Sequence, residues 1–375
     1  MIPFLVLSDA PNANTGLARI ARDLMHILWA EREALDIDLV QLGLHYNWGP
    51  WPWRCFRVEH EEEWGKIDLQ KMWTMMGWPG RGVIFTVWDP GRCFGPMLVP
   101  LPPKVQRWGY FALDAVNGAG TIGGPAAEVV RGYSRVLGYG RWGSQVLRGL
   151  RQEAVPYLPH GLGKEFIGRW TREGLVRDTV GCVATNHPRK DLGLLFYTWK
   201  LLAERDPGLK FWLHTHAAVT EAWSVPELAE QVGLNNERLT VTVDNLTDEG
   251  LAQMYSGCLV TIAPGLGEGF GYPIAESLAC GAPVIHGDYA GGAELVPRRE
   301  WRSGAVGSRL EGAYALERPL FDAGDFADRA WEAISWMREE PRVVEAYCRG
   351  AVAQYDWEAL RPRWLSWFRK GLRDV

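Results

Sequence analysis

Long apolar runs are missing from this 375-residue chain. None approaches the roughly 18 residues that a bilayer-crossing helix needs, so no such helix is expected. Paired cysteines are missing too. The six (Cys55, Cys93, Cys182, Cys258, Cys280 and Cys348) are scattered, with no CxxC pair. That spacing argues against a zinc site or a disulfide framework and for a reducing compartment, the cytoplasm. The opening run Ile2–Leu7 is too short for a signal-peptide core and has no basic lead-in. It reads as a first buried strand. A large excess of one charge is absent as well: the net charge is −5 and advertises neither nucleic acid nor membrane. Short repeats and low-complexity tracts do not occur.

Apolar runs of strand length alternate with helical periodicity, the pattern of a parallel sheet with crossover helices. In the first half the expected strands are Ile2–Leu7, Ile37–Leu42, Val83–Val87, Gln106–Ala112, Arg135–Gly138 and Ala154–Leu158. A helix is expected from Gly16 to about Ala30, with Leu17, Ile20, Ala21, Leu24, Ile27 and Leu28 on one face. A second set begins at Thr179. It has strands at Val180–Thr185, Leu209–Leu213, Leu239–Val243 and Leu259–Ala263, and helices at Asp191–Glu204, around Glu227–Val232 and after Thr247. Thr247 is the expected N-cap of that last helix. Two such sets predict an α/β chain of two doubly wound domains, spanning 1–163 and 164–355, with a final helix at 356–375.

The most informative stretch is Glu268-Gly269-Phe270-Gly271-Tyr272-Pro273-Ile274-Ala275-Glu276. Its glycines let the backbone come close to a ligand. The helix behind them points free N–H groups forward, an anion site. Two carboxylates flanking an anion site suit a ligand that has both phosphates and hydroxyls, as a nucleotide-sugar does. The run continues through Ser277-Leu278-Ala279-Cys280-Gly281-Ala282-Pro283-Val284-Ile285. As a whole it resembles the retaining GT-B glycosyltransferases, in particular glycosyltransferase family 4, also called glycosyl transferases group 1. Their phrase runs close to E-G-F-G-x-P-x-x-E-x-x-A-x-G-x-P-V.

Four further phrases extend the resemblance over most of the chain. Ser8 to Arg19, with Thr15-Gly16 opening a helix, is similar to the glycine loop that meets the donor diphosphate. Tyr110-Phe111-Ala112-Leu113-Asp114 ends a strand; Asp114 either orients or deprotonates an acceptor hydroxyl, or caps a turn. Leu158 to Phe166 resembles the hinge phrase, with His160 in a structural role. Ala184 to Leu192 carries Arg189 and Lys190, which the resemblance places on the donor diphosphate, the one as a fork and the other as a point charge.

The resemblance implies a GT-B fold: two Rossmann-like domains facing across a cleft, with the last helix crossing back to the first. It implies that Glu276 binds the nucleotide ribose and that Glu268 holds hydroxyls of the transferred sugar. The backbone of Gly269, Phe270 and Gly271 would approach sugar and phosphates, and His214 and Thr215 would end a strand near the base or phosphate. His214 and His216 stand at i, i+2 with no third ligand, which argues against zinc. With Arg189 and Lys190 supplying charge, no cofactor or metal is required. The implied reaction is front-face transfer from a UDP- or GDP-sugar to an acceptor hydroxyl.

The acceptor stays open at this stage: a glycan or lipid-linked glycan, or a hydroxymethylated base in DNA. The lipid branch draws on the basic, aromatic helix Trp357–Leu372, which reads either as core packing or as a membrane-surface helix peripheral to the inner membrane. The DNA branch draws on the run of Lys104, Arg107, Arg131, Arg135, Arg141, Arg148 and Arg151. More often such a run is a set of solvated helix faces. The twenty tryptophans, several of them between Trp48 and Trp78, serve either as stacking platforms or as core filling. Other classes that share the fold are an inactive nucleotide-sugar-binding module and an epimerase or phosphorylase.

Overall fold

The computed structural model describes residues 1–46, 49–167, 177–215, 223–235, 237–243 and 246–375. They form two compact units. One comprises Met1–His160, Ala313–Leu316 and Leu360–Val375, the other Gly161–Gly312 and Glu317–Ala359.

The first unit is built on β1 (Ile2–Asp9), α1 (Gly16–Ala30), β2 (Ile37–Leu44), β3 (Arg54–Arg57), β4 (Arg81–Trp88), β5 (Lys104–Phe111) and β6 (Arg135–Gly138). Its strands lie in the order β3-β2-β1-β4-β5-β6, and every neighbouring pair is parallel. β1 is buried along nearly its whole length, as a central parallel strand covered on both faces must be. α1 starts where Thr15 accepts a hydrogen bond from the Ala18 N–H, and it buries Ile20, Leu24, Ile27 and Leu28.

The second unit repeats the plan with β7 (Thr179–Val183), α2 (Leu192–Arg205), β8 (Lys210–Thr215), β9 (Leu239–Val243), α3 (Asp248–Ser256), β10 (Cys258–Ala263), α4 (Tyr272–Ala279), β11 (Val284–Gly287), α5 (Ala290–Leu295) and β12 (Arg302–Ser303). The order is β9-β8-β7-β10-β11-β12, again all parallel. Both sheets therefore have the 3-2-1-4-5-6 arrangement of doubly wound folds. In each the winding reverses between the first and fourth strands, and ligands bind beyond the carboxyl ends at that point. Thr247 does cap α3, accepting from Gly250 N–H at 3.0 Å.

The last helix, α6 (Trp357–Leu372), packs on the first unit from Leu360 onward. Phe368 sets its ring edge-on to Phe4 at 5.9 Å, Trp367 meets Trp108 at 5.4 Å, and Trp364 meets Tyr110 at 4.9 Å. The Trp364 indole donates to the Pro159 carbonyl at 3.1 Å. The apolar face that the sequence left open to a membrane surface is thus buried in a core. No described helix is long and apolar enough to cross a membrane. Among the tryptophans, Trp88, Trp108, Trp199, Trp212 and Trp364 are among the largest fully buried side chains. For these, core filling is the outcome.

One expected strand is absent. Ala154–Leu158 makes a single bridge, Tyr157 to Gly138, instead of a ladder. Pro156 and Pro159 remove two donors there, and a proline cannot serve a parallel ladder from inside.

Candidate active site

The switch point of the second unit carries the chemistry. β7 runs into the loop 184–191. Asn186 braces this loop by donating to the Trp223 carbonyl at 2.8 Å and accepting from the Trp223 N–H at 3.0 Å. His187 Nδ1 accepts from the Arg189 N–H, and Asp191, in the left-handed region at φ 39°, caps α2 through the Leu194 N–H. These braces fix Arg189 and Lys190 beyond the strand end. β10 runs into the loop 264–271, which is stitched to the first. The Leu266 N–H donates to the Arg189 carbonyl at 2.9 Å, and Arg189 donates to the Gly267 carbonyl at 2.6 Å.

Lys190 Nζ hydrogen-bonds Glu268 Oε1, and Arg189 stands 3.6 Å from Glu268 Oε2. Only 12% of the Lys190 side chain and 14% of the Glu268 side chain are exposed. Burial by itself pushes the Glu268 carboxyl up. The Lys190 and Arg189 charges and the hydrogen bond from Lys190 outweigh it and hold the pKa at about 2. The recess bounded by Lys190, Gly265, Glu268, Gly271 and Ile274 has a volume of only about 10 Å³, no more than one water needs. Lys190 and Glu268 therefore occupy each other. A wider groove of about 720 Å³ runs along the helix Lys66–Met75, but none of the expected site residues lines it.

Behind Glu268 the backbone is shaped by glycine. Gly271, at φ 101°, is the N-cap of α4. Phe270 turns its ring inward against Tyr272 and Tyr355, so the loop presents main chain. Glu276 lies on the buried side of α4, where its Oε2 accepts from the Tyr255 hydroxyl at 3.2 Å. Burial first, then the Glu276 charge, pushes the Tyr255 phenol well up, so it stays a donor.

His214, at the end of β8, contacts Thr242 Oγ1 at 3.0 Å through Nδ1. Thr215 is buried beside it, and its hydroxyl has no hydrogen-bond partner among the described residues. His216 lies outside the described residues. Thr15, Gly16 and Asp114 belong to the first unit. There Thr15 donates to Asp9 Oδ2 at 2.6 Å, and Gly16 opens α1.

Comparison with known proteins now adds to the geometry. Residues 177–314 match the family Glycosyl transferases group 1, and this stretch contains Arg189, Lys190, Glu268 and Glu276. This segment resembles a glycosyl transferases group 1 domain. It is 30% identical over 216 residues to a D-inositol 3-phosphate glycosyltransferase of Thermomonospora curvata, covering 54% of this chain and 46% of that protein. It is 33% identical over 104 residues to the serotype-specific mannosyltransferase WbdA of Escherichia coli, covering 28% of this chain and 13% of that one. The chain thus spans less than half the length of either relative. Among solved structures, sucrose-phosphate synthase from Thermosynechococcus elongatus superposes over 100% of both chains with a TM-score of 0.76 at 16% identity. The fold is GT-B.

Sequence reading missed two features of this segment. His286, at the end of β11, is fully buried and shares its Nδ1 with the Ala263 carbonyl at 2.7 Å. Burial holds its pKa below the usual value, so it is a neutral ring, and its Nε2 has no hydrogen-bond partner among the described residues. Gly291 and Gly292, at the start of α5, press against the Glu268 loop. A Cβ on Gly292 would lie 2.6 Å from His286 Nε2 and 3.0 Å from Glu268 Cβ. A strand-end histidine and a glycine pair carry no signal of this by themselves. Only the strand order brings β11 beside β10.

Proposed function

We propose that the chain is a retaining glycosyltransferase that moves a sugar from a UDP- or GDP-sugar to an acceptor hydroxyl. The observation that supports this best is the Lys190–Glu268–Arg189 cluster at the β7/β10 switch point, ahead of the N-terminus of α4. In this reading the donor diphosphate takes the two cations away from Glu268, and sugar hydroxyls take the carboxylate. The cations gain the diphosphate charge and the carboxylate keeps hydrogen bonds from the hydroxyls, so the cluster opens without leaving a buried group unsatisfied. Glu276 accepts from the ribose hydroxyls beside the Tyr255 phenol.

The bond from the sugar C1 to the diphosphate oxygen breaks, and the bond from the acceptor oxygen to C1 forms on the same face. The acceptor proton goes to an oxygen of the departing diphosphate. Positioning and stabilisation of the leaving charge by Lys190 and Arg189 supply the rate. Since these two cations already face the diphosphate, the reading requires no divalent metal. Asp114, beyond β5 in the first unit, serves the acceptor. The names of the relatives speak of mannosyl transfer and of an inositol phosphate. For this chain a glycan, free or lipid-linked, is the acceptor we favour.

The test is thermal stabilisation by UDP, GDP, ADP and CDP. A ligand at a hundred times its Kd adds about 2.7 kcal/mol. UDP or GDP is expected to raise Tm, and Glu276→Ala to abolish the shift. No shift with any nucleotide sinks the donor assignment and leaves an inactive GT-B module as the better reading.

A further inference from the structure

The segment between Gly49 and Trp78 takes no part in the donor chemistry, and it holds a polar cluster of its own. Val58, just after β3, is fully buried, and its N–H donates to the Gly43 carbonyl at 2.9 Å. That bond pins the chain leaving β3 to β2. Glu59 and His60 follow, and Asp68 lies in the first turn of the helix Lys66–Met75. The ligand atoms that Glu59, His60 and Asp68 offer all lie within 4.8 Å of one another. Among the described residues no other three of histidine, cysteine, aspartate and glutamate converge in this way.

The hydrogen bonding of the cluster is incomplete. Asp68 is buried, with 7% of its side chain exposed. Its Oδ2 accepts from the His60 N–H at 3.3 Å, and its Oδ1 takes no hydrogen bond from the described residues. Oδ1 faces His60 Nδ1 at 3.7 Å, too far for a hydrogen bond. Nδ1 is buried and has no hydrogen-bond partner among the described residues. Neither protonation state of the ring resolves this. A protonated Nδ1 is a buried donor without an acceptor in reach, and a neutral one is a buried lone pair without a donor. A cation between nitrogen and oxygen satisfies both. In a tetrahedral zinc site the ligand atoms stand about 2.0–2.2 Å from the ion and so about 3.3–3.6 Å from one another. The separation of 3.7 Å is close to that spacing. Glu59 is exposed and free to rotate onto the ion, and 37% of the His60 side chain is open, which leaves an entry.

The donor set narrows the ion. One imidazole and two carboxylates suit a borderline divalent metal, whereas calcium and magnesium take oxygen alone. Charge favours a cation as well: four glutamates and Asp68 stand between positions 59 and 68 against Lys66. Of these, Glu61 is engaged by His45 and Glu63 by Lys66, so neither competes for the ion. We propose that Glu59, His60 and Asp68 form a binding site for a divalent transition-metal ion of the zinc class, with water in the fourth position. The ion clips the chain after β3 to the helix Lys66–Met75. That helix starts at Gly65 without a side-chain cap, and it lines the groove of about 720 Å³. The site belongs to the first unit alone and does not depend on the glycosyltransferase reading.

The experiment is calorimetric titration of the full chain, stripped with a chelator, with zinc, magnesium and calcium chlorides, and thermal melts with and without zinc. One zinc per chain is expected, bound about tenfold or more tighter than magnesium or calcium and raising Tm. Glu59→Gln, His60→Ala and Asp68→Asn should each weaken zinc about tenfold or more, since even partners one shell further out are worth about 10–100-fold. Glu59→Gln should leave the metal-free Tm unchanged, because its carboxylate is exposed, so weaker binding there is not misfolding. His45→Ala removes a neighbouring histidine, the one paired with Glu61, and should bind zinc as the wild type does. No saturable zinc binding, zinc that leaves Tm unchanged, affinity unaltered by Glu59→Gln and His60→Ala, magnesium bound as tightly as zinc, or an equal loss in His45→Ala each overturns the site.

Discussion

Glu268 is a carboxylate held between two cations in a site with little water, and this makes its ionisation a stability term. Its folded pKa of about 2 lies below its ordinary value of 4.5. A depressed carboxylate contributes stability that is fully present above its unfolded pKa. That contribution fades as pH falls from about 4.5 toward about 2. Glu268→Gln would leave the Lys190 ammonium, 12% exposed, without its counter-charge. Breaking a buried pair from one side costs about 3 kcal/mol or more. At neutral pH the variant should therefore melt well below wild type, and the gap should narrow steadily between pH 5 and pH 3. Thermal melts of both proteins across that window decide it. A gap that does not change with pH would mean that Lys190 has another counter-charge.

The element that sets the donor site is the loop between β10 and α4, and α5 is the surface that shapes it. Gly291 marks the contact: an added Cβ would stand 2.3 Å from the Gly269 carbonyl oxygen and 3.1 Å from that of Glu268. Both obstacles are main chain, so no side chain can rotate away. Gly291→Ala should cost about 1–3 kcal/mol, the usual toll of overpacking, and should shrink the nucleotide-induced Tm shift. Gly350, in the exposed face of the helix Pro341–Val352, is the control. Nothing lies within 4 Å of its Cβ position, and alanine there should stabilise by up to about 1 kcal/mol. Equal effects at the two positions would dismiss the packing account.

The same loop shows how far sequence can go. The motif from Glu268 to Glu276 locates it, since glycine and helix-start chemistry are local. So do β6 and β9, whose bounds the apolar runs mark without error. The pairing of Lys190 with Glu268 joins residues 78 positions apart and needs the strand order. Glu276 also sits deeper than a ribose ligand suggests, because helical phase puts it on the core side of α4 beside Tyr255.

For the whole molecule the remaining question is whether its basic stretch serves nucleic acid. Of the seven cations between Lys104 and Arg151, four are held by protein groups. Arg107 donates to the Val99 carbonyl at 2.6 Å, Arg135 to that of Trp367 at 3.4 Å, and Arg151 to those of Val130 at 2.9 Å and Tyr133 at 2.5 Å. Arg135 also lies over the Trp108 and Trp367 rings, at 5.2 and 5.0 Å, and so fastens α6 to the sheet. Arg141 meets the Tyr157 hydroxyl at 3.1 Å. What remains exposed is a handful of cations on a chain of net charge −5. Each phosphate neutralised adds about −0.9 to the slope of log affinity against log salt, and six to ten contacts are typical of real DNA binders. A duplex containing hydroxymethylated cytosine should therefore not be retained at low salt. Retention that is lost steeply between about 50 and 200 mM salt would restore a DNA base as acceptor. Absence of retention would leave the basic stretch as structure: arginines that fix loops and the last helix in place.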